Sequence, residues 1–252
     1  MSSRHRVDLN CDMGEGFGSD EELCALVTSA NIACGGHAGD AESMAQSVER
    51  ALQSGVAIGA HPGFVDRSGF GRVATRVAPA VLEEQVAEQV RRLDGIAAAH
   101  GGRLSHVKPH GALYNMAAVD LDLARLVVRA LTRASECRTL YALSGSLFVE
   151  VARGAGFTVA EECFADRAYR ADGSLAPRGS TGAVVADPAV AAARGLRMVT
   201  EGTIAAADGT IIPGRADTIC VHGDEPGAAA CARALREALR AAGIDVKRFD
   251  VP

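Results

Sequence analysis

Tryptophan is absent from this 252-residue chain, aromatic residues make up only 4% of it, and of its 26 basic residues only two, Lys108 and Lys247, are lysines. So few rings leave no stacking platform for single-stranded nucleic acid, and a net charge of −5 lacks the basic footprint that nucleic-acid binding requires. No apolar stretch approaches the ~18 residues needed to span a bilayer. The basic opening Met1-Ser2-Ser3-Arg4-His5-Arg6 runs into Val7-Asp8-Leu9-Asn10 without the apolar core of a signal segment. The seven cysteines are an odd number with no C-x-x-C pair. Reduced thiols packed as small apolar groups therefore fit better than a disulfide scaffold, even for Cys11, Cys34 and Cys163 near polar clusters. These absences predict a cytoplasmic protein with neither nucleic acid nor membrane as a partner.

What is present reads as a globular α/β protein, with 48% apolar and 23% charged residues. Short apolar strands are expected at Arg6 to Asn10, Ala30 to Cys34, Val56 to Ala60, Leu104 to Lys108, Thr139 to Leu143, Thr158 to Glu162 and Asp217 to His222. Between them lie helical signals. Ser19 with Glu22 resembles a capping box, Pro79 opens a long run to His100, and Gly55 and Gly101-Gly102 stop helices. Leu82, Val86, Val90, Leu93 and Ala97 form one stripe, as on a helix laid against a sheet. Repeated strand–helix units imply a parallel sheet, open or closed into a barrel. Residues 171–214 break that rhythm as an irregular insertion, with a loop at Ala176-Pro177-Arg178-Gly179 and a hairpin from Thr203 to Ile212 turning at Asp208-Gly209. No linker, low-complexity tract or internal repeat divides the chain, so residues 1–252 are expected to form a single domain.

In parallel β/α folds the loops at the carboxyl ends of the strands hold the active site. Asp12 and Glu15 follow the first strand, His37 and Asp40 the second, and His61, Asp66 and Arg67 the third. Lys108 and His110 end the fourth, Glu162 with Asp166 and Arg167 the sixth, and His222 with Asp224 the seventh. Four of the seven histidines thus fall at strand ends, each near a glycine, whereas His5, His100 and His106 do not. One such histidine is usually a hydrogen-bonded structural residue; four converging on one face point to chemistry. Lys108 stands out in a chain that writes nearly every other cation as arginine, because a compact ammonium acts as a point charge. Two chemistries suit the set. His37, His61 and His110 with Asp12 could ligate a divalent ion that activates water. The same groups without metal could act as general acid and base, with Lys108 stabilising an oxyanion or phosphate. Gly14-Glu15-Gly16-Phe17-Gly18 lacks a Walker lysine or dinucleotide fingerprint, no G-x-S-x-G elbow is present, and Ser144-Gly145-Ser146 reads as a turn capping a helix.

The segments VDLNCDMGEGFG (7–18), ANIACGGHAGD (30–40), AIGAHPGFVDRSGFGR (57–72), VKPHGALYN (107–115), ECFADRAY (162–169) and VHGD (221–224) closely resemble the LamB/YcsF family, bacterial 5-oxoprolinase A subunits. The resemblance runs from the first strand to the last helix. It departs at Gly36 and Ala41, within what relatives write as G-F-H-A-G-D-P, and at Val73, which replaces a second arginine after G-F-G-R. It implies a seven-stranded, distorted TIM-like β/α barrel of the glycoside hydrolase/deacetylase type. It also implies ATP-dependent hydrolysis of the lactam 5-oxoproline to L-glutamate together with subunits B and C, with magnesium accompanying ATP. Under that reading Asp12, His61 and His110 activate water and move protons, and Lys108 faces phosphate or oxyanion. Arg72 and Arg167 anchor anionic groups or bridge to Asp66 or Asp166. Glu15, Asn115, Glu162, Asp166, His222 and Asp224 complete the substrate and phosphate pocket, and Asp12, His37 and His61 are the candidate ligands if a metal is bound, metal-independent chemistry being the first expectation. The competing readings are a metal-dependent deacetylase or amidase and a non-catalytic scaffold subunit.

Overall fold

In β1 (Arg6–Met13) the odd residues Val7, Leu9, Cys11 and Met13 are apolar and the even residues Asp8, Asn10 and Asp12 are polar, yet all seven are buried. A strand sends alternate side chains to opposite faces, so β1 needs an apolar layer on one side and an enclosed polar layer on the other. A closed barrel meets both demands. The computed structural model describes residues 6–224 and 227–249; His5 lies outside the described residues.

Six further parallel strands complete the barrel: β2 (Ser29–Ala33), β3 (Ala57–His61), β4 (Leu104–Val107), β5 (Thr139–Leu143), β6 (Thr158–Phe164) and, after a small hairpin, β9 (Thr218–Cys220). The ladder runs β1-β2-β3-β4-β5-β6-β9, and β9 closes it by pairing with β1, Asp8 opposite Thr218 and Asn10 opposite Cys220. The seven-stranded TIM-like barrel is therefore present. A short β10 (Asp245–Val246) adds to β1 outside the ring.

Helices α1 (Asp20–Cys24), α2 (Ala41–Ser54), α3 (Pro79–Ala99), α4 (Gly111–Ala117), α5 (Leu121–Ala134), α6 (Leu147–Gly154), α7 (Pro188–Glu201) and α8 (Ala228–Ala241) surround the strands. The predicted stripe Leu82, Val86, Val90, Leu93 and Ala97 is the buried face of α3. None of the described helices is long and apolar enough to cross a membrane.

Several expectations need correction. Strand β1 does not stop at Asn10, because its ladder with β2 continues to Met13 opposite Ile32 and so puts Asp12 on the strand itself. Ser19 forms no capping box; its hydroxyl donates to the Gly223 carbonyl at 2.9 Å. The box belongs to α2, where Asp40 accepts from the Ser43 amide and the Ser43 hydroxyl accepts in return. Ser146 likewise starts α6 without a side-chain cap. The stretch 171–214 is not irregular throughout. It contains the 14-residue α7, which starts with Asp187 accepting two amides ahead of Pro188, and the hairpin β7 (Thr203–Ala205) and β8 (Ile211–Pro213). All seven cysteines are unpaired thiols, six of them buried.

Candidate active site

The polar side chains inside the barrel form three tiers. At the amino end Asp8 accepts from Thr28, Ser29 and Thr218 hydroxyls at 2.7, 2.7 and 2.6 Å, joining three strands. In the middle tier Asn31 donates to Asn10 Oδ1 at 2.8 Å and Asp12 Oδ1 at 2.9 Å, while its own Oδ1 accepts from His106 Nε2 at 2.8 Å. His106 occupies space that only glycine leaves, since a Cβ on Gly59 would lie 2.0 Å from its Nε2. Burial pushes His106 down to about 3, so this ring is neutral.

Lys108 stands above this network, 3% exposed. Its Nζ lies 3.2 Å from Asp12 Oδ1, 3.0 Å from Glu162 Oε1, 3.2 Å from Asn10 Oδ1 and 3.1 Å from Cys220 Sγ. Burial alone would lower its proton affinity, but Asp12, Cys220 and Glu162 outweigh that and raise it well above the ordinary lysine value. Burial would likewise raise Asp12, yet His61 and Lys108 hold its carboxyl well below the usual range. A lysinium–carboxylate pair is thus maintained at the barrel floor.

Beside it the histidines cluster. His61 Nδ1 donates to the Lys108 carbonyl at 2.7 Å, and His110 Nε2 donates to the Phe70 carbonyl at 2.9 Å. Their remaining nitrogens, His61 Nε2 and His110 Nδ1, face each other at 2.9 Å, with Asp12 Oδ1 3.4 Å from the former and Glu15 Oε1 3.5 Å from the latter. His37 stacks on His110, ring centroids 3.6 Å apart, and its Nε2 lies 2.9 Å from Glu15 Oε1. Burial, with the neighbouring His61, pushes His37 down to about 2; burial, with His37 and His61, also holds His110 well below its ordinary value. Burial raises Glu15 well above the carboxylate range, helped by Asp12 and Asp224. Phe70 has a positive φ of 53°, unlike any other described non-glycine residue, and this turn aims its carbonyl at His110. Gly111 lets the same turn approach, because a Cβ there would lie 2.6 Å from the Gly71 carbonyl.

Asp12, His61, Lys108 and His110 floor a cavity of about 490 Å³ at the carboxyl end of the barrel, walled by Arg72, Asn115, Arg167, Arg178 and His222. Among the predicted residues, Asp12, His61, Lys108, His110, Arg72, Asn115, Arg167 and His222 line this space, whereas Glu15, His37, Glu162, Asp166 and Asp224 do not. Glu162 lies beneath the floor, 0% exposed, accepting from Asn10 Nδ2 and the Tyr114 hydroxyl. Asp166 accepts from the His222 amide and Nδ1, and so orients that ring. Arg167 donates its Nε to the Ala183 carbonyl and its Nη2 to the Ala176 carbonyl at the cavity wall. Arg72 bridges neither Asp66 nor Asp166; it pairs with Asp224, which Arg178 Nη1 also approaches to 3.1 Å. Asp40 and Asp66 serve a helix cap and a turn. Sequence reasoning missed Asn10, Asn31 and Cys220, although the alternation Asp8, Asn10, Asp12 signals an inward polar face. It also missed Arg178, for which the loop composition of its neighbourhood carries no signal.

A LamB/YcsF family model matches residues 7–251. The chain belongs to the LamB/YcsF family. A relative from Heliobacterium modesticaldum, named as the A subunit of 5-oxoprolinase, is 55% identical over 96% of this chain and 97% of its own. The crystal structure of the lactam utilization protein from Thermus thermophilus is 44% identical, covers 97% of this chain and 100% of that one, and superposes with a TM-score of 0.89. The T48 deacetylase solved with substrate shares the barrel, with a TM-score of 0.51 at 14% identity over 96% of this LamB/YcsF chain and 87% of the deacetylase. That last likeness concerns the fold alone.

Proposed function

We propose that this chain is the lactam-opening subunit of an ATP-dependent 5-oxoprolinase, converting 5-oxoproline to L-glutamate with partner subunits of the B and C type. The observation that carries the reading is the Asp12–Lys108 pair, a buried base and cation side by side at the floor of a cavity, in a chain 55% identical to a 5-oxoprolinase A subunit. A five-membered lactam resists water because its amide resonance must be lost. Phosphorylation of the lactam carbonyl oxygen by ATP, with loss of the N–H proton, gives an imidate and removes that resonance. Water then adds to the ring carbon, the C–N bond breaks as nitrogen takes a proton, and the resulting acyl phosphate is cleaved by a second water to carboxylate and phosphate.

Asp12, kept ionised, is the group suited to accept the proton of the attacking water. The Lys108 ammonium supplies the positive charge nearest the developing oxyanion or phosphate. Arg72 and Arg178, which converge on Asp224 at the cavity wall, have the geometry to grip the substrate carboxylate by charge-assisted contacts. No described loop presents a Walker lysine, so phosphoryl transfer from magnesium-bound ATP falls to the partners.

The test is a glutamate-release assay. The purified chain should show little ATP-coupled turnover of 5-oxoproline, and coexpressed B and C subunits should restore it. Full turnover by the single chain, or turnover independent of ATP in the complex, would overturn the division of labour.

A further inference from the structure

The His61–His110 contact cannot be satisfied by two neutral rings. A backbone carbonyl accepts only, so His61 carries its proton on Nδ1 and His110 on Nε2. In neutral rings the two facing nitrogens are then both acceptors, their lone pairs opposed at 2.9 Å in a buried site. Something positive belongs between them. A proton would satisfy this one pair, but Glu15 Oε1 also lies 3.5 Å from His110 Nδ1 and 4.0 Å from His61 Nε2, so a carboxylate closes a triangle with the two nitrogens.

We propose that Glu15, His61 and His110 hold a zinc-type divalent cation. A tetrahedral ion with bonds of about 2.0–2.1 Å has ligand–ligand edges of roughly 3.4 Å. The edges found here are 2.9 Å for His61–His110, 3.5 Å for His110–Glu15 and 4.0 Å for His61–Glu15, scattered about that length. Ligating imidazoles are ordinarily oriented by a hydrogen bond from the other ring nitrogen, and His61 and His110 each have one to a carbonyl. Two imidazoles and one carboxylate, with water as a fourth ligand, suit zinc rather than magnesium or calcium, which prefer oxygen. This set differs from those read in sequence: it takes Glu15, leaves Asp12 to Lys108, and omits His37, whose ring lies face to face with His110 and cannot point a lone pair at the same ion. The ion would supply a Lewis acid beside Asp12, on the side of the cavity that His61 and His110 line.

The inference stands apart from the lactam reading, since its test uses metal alone. Chelator-treated full-length protein is titrated with cobalt(II), followed by visible absorption, and then with zinc, followed by displacement of cobalt and by Tm. One ion per chain, with the intense absorption of four-coordinate cobalt and a zinc-dependent rise in Tm, is expected. His61→Asn and His110→Asn, checked for folding by circular dichroism, should each weaken binding at least about 100-fold, at or above the range for losing an outer-shell residue. Cys220→Ser should leave binding unchanged. Asp12, Cys220 and His222 form a second group of possible ligands. Absence of stoichiometric uptake would overturn the proposal and leave a shared proton between His61 and His110. So would binding that survives both histidine variants but is lost, with a sulfur-to-cobalt absorption band, in Cys220→Ser.

Discussion

At the scale of single residues, Lys108 shows how a surface-type side chain becomes a structural and electrostatic centre once enclosed. Truncation would remove four polar contacts at once, and Asp12 would lose a charge that holds it ionised. Lys108→Met should therefore lower turnover in the assembled complex by about 100-fold or more, the scale of losing one electrostatic stabiliser. Lys108→Arg should rescue poorly because a planar fork does not fit a site built for a point charge. Lys247→Met is the control, an exposed lysine paired with Asp245, and should be silent in the same assay. His106 offers a second test, through pH. In the folded protein burial pushes it down to about 3 from its ordinary 6.5. As pH falls through that window the unfolded chain takes up a proton that the folded one refuses, so His106's contribution to stability is present above pH 6.5 and lost below it, at up to about 1.4 kcal/mol per pH unit. Urea unfolding of the wild type and His106→Gln at successive pH values should show a shallower acid slope in the variant. Equal slopes would mean that His106 titrates normally in the fold.

Among elements, the pairing of α7 with α8 shows what a helix gives up to lie close to another. Gly195 sits in the buried face of α7, where glycine costs helix stability, and a Cβ there would meet Leu235 Cδ1 of α8 at 2.4 Å and Ala165 Cβ at 3.4 Å. Close approach is the return for that cost. Gly195→Val should overpack this contact and reduce unfolding free energy by about 1–3 kcal/mol, measured by urea denaturation. A gain in stability, as helix propensity alone would give, would show that α7 can move outward freely. The same helix explains why residues 171–214 look irregular in sequence: its apolar face is built from alanine and glycine, Ala191, Ala192 and Gly195, which give little periodic signal.

For the whole molecule the decisive contact is the seam at which β9 pairs with β1 and closes the ring. Asp8 crosses it, accepting from Thr218 of β9 on one side and from Thr28 and Ser29 at the start of β2 on the other. Asp8→Ala removes the carboxylate acceptor of three hydroxyls, two of them buried, and should cost about 2–4 kcal/mol, given ~1–3 kcal/mol for each unsatisfied group and partial rearrangement. Thermal unfolding with a lower but still single transition is the expected result. An unchanged Tm would show that strand pairing alone closes the barrel.

Period-two alternation and helical stripes, which depend on local backbone geometry, were enough to locate seven strands, the long α3 helix and the carboxyl-end placement of Asp12, His61, Lys108 and His110. Strand ends could be read because the loops after them carry glycine beside polar residues. Local patterns could not say whether the sheet closes, because closure is one register choice between β1 and β9, over 200 residues apart in the chain; the resemblance, not periodicity, supplied the barrel. Nor could they say which groups stay available. Arg72 and Arg167 look alike in sequence, yet one guanidinium meets a carboxylate at the cavity wall and the other is taken up by backbone carbonyls. His37, His61 and His110 were each legible as strand-end histidines. Only folding decided that two of them would turn unprotonated nitrogens toward each other, because the carbonyls that set their tautomers, Lys108 and Phe70, are brought to them by tertiary structure.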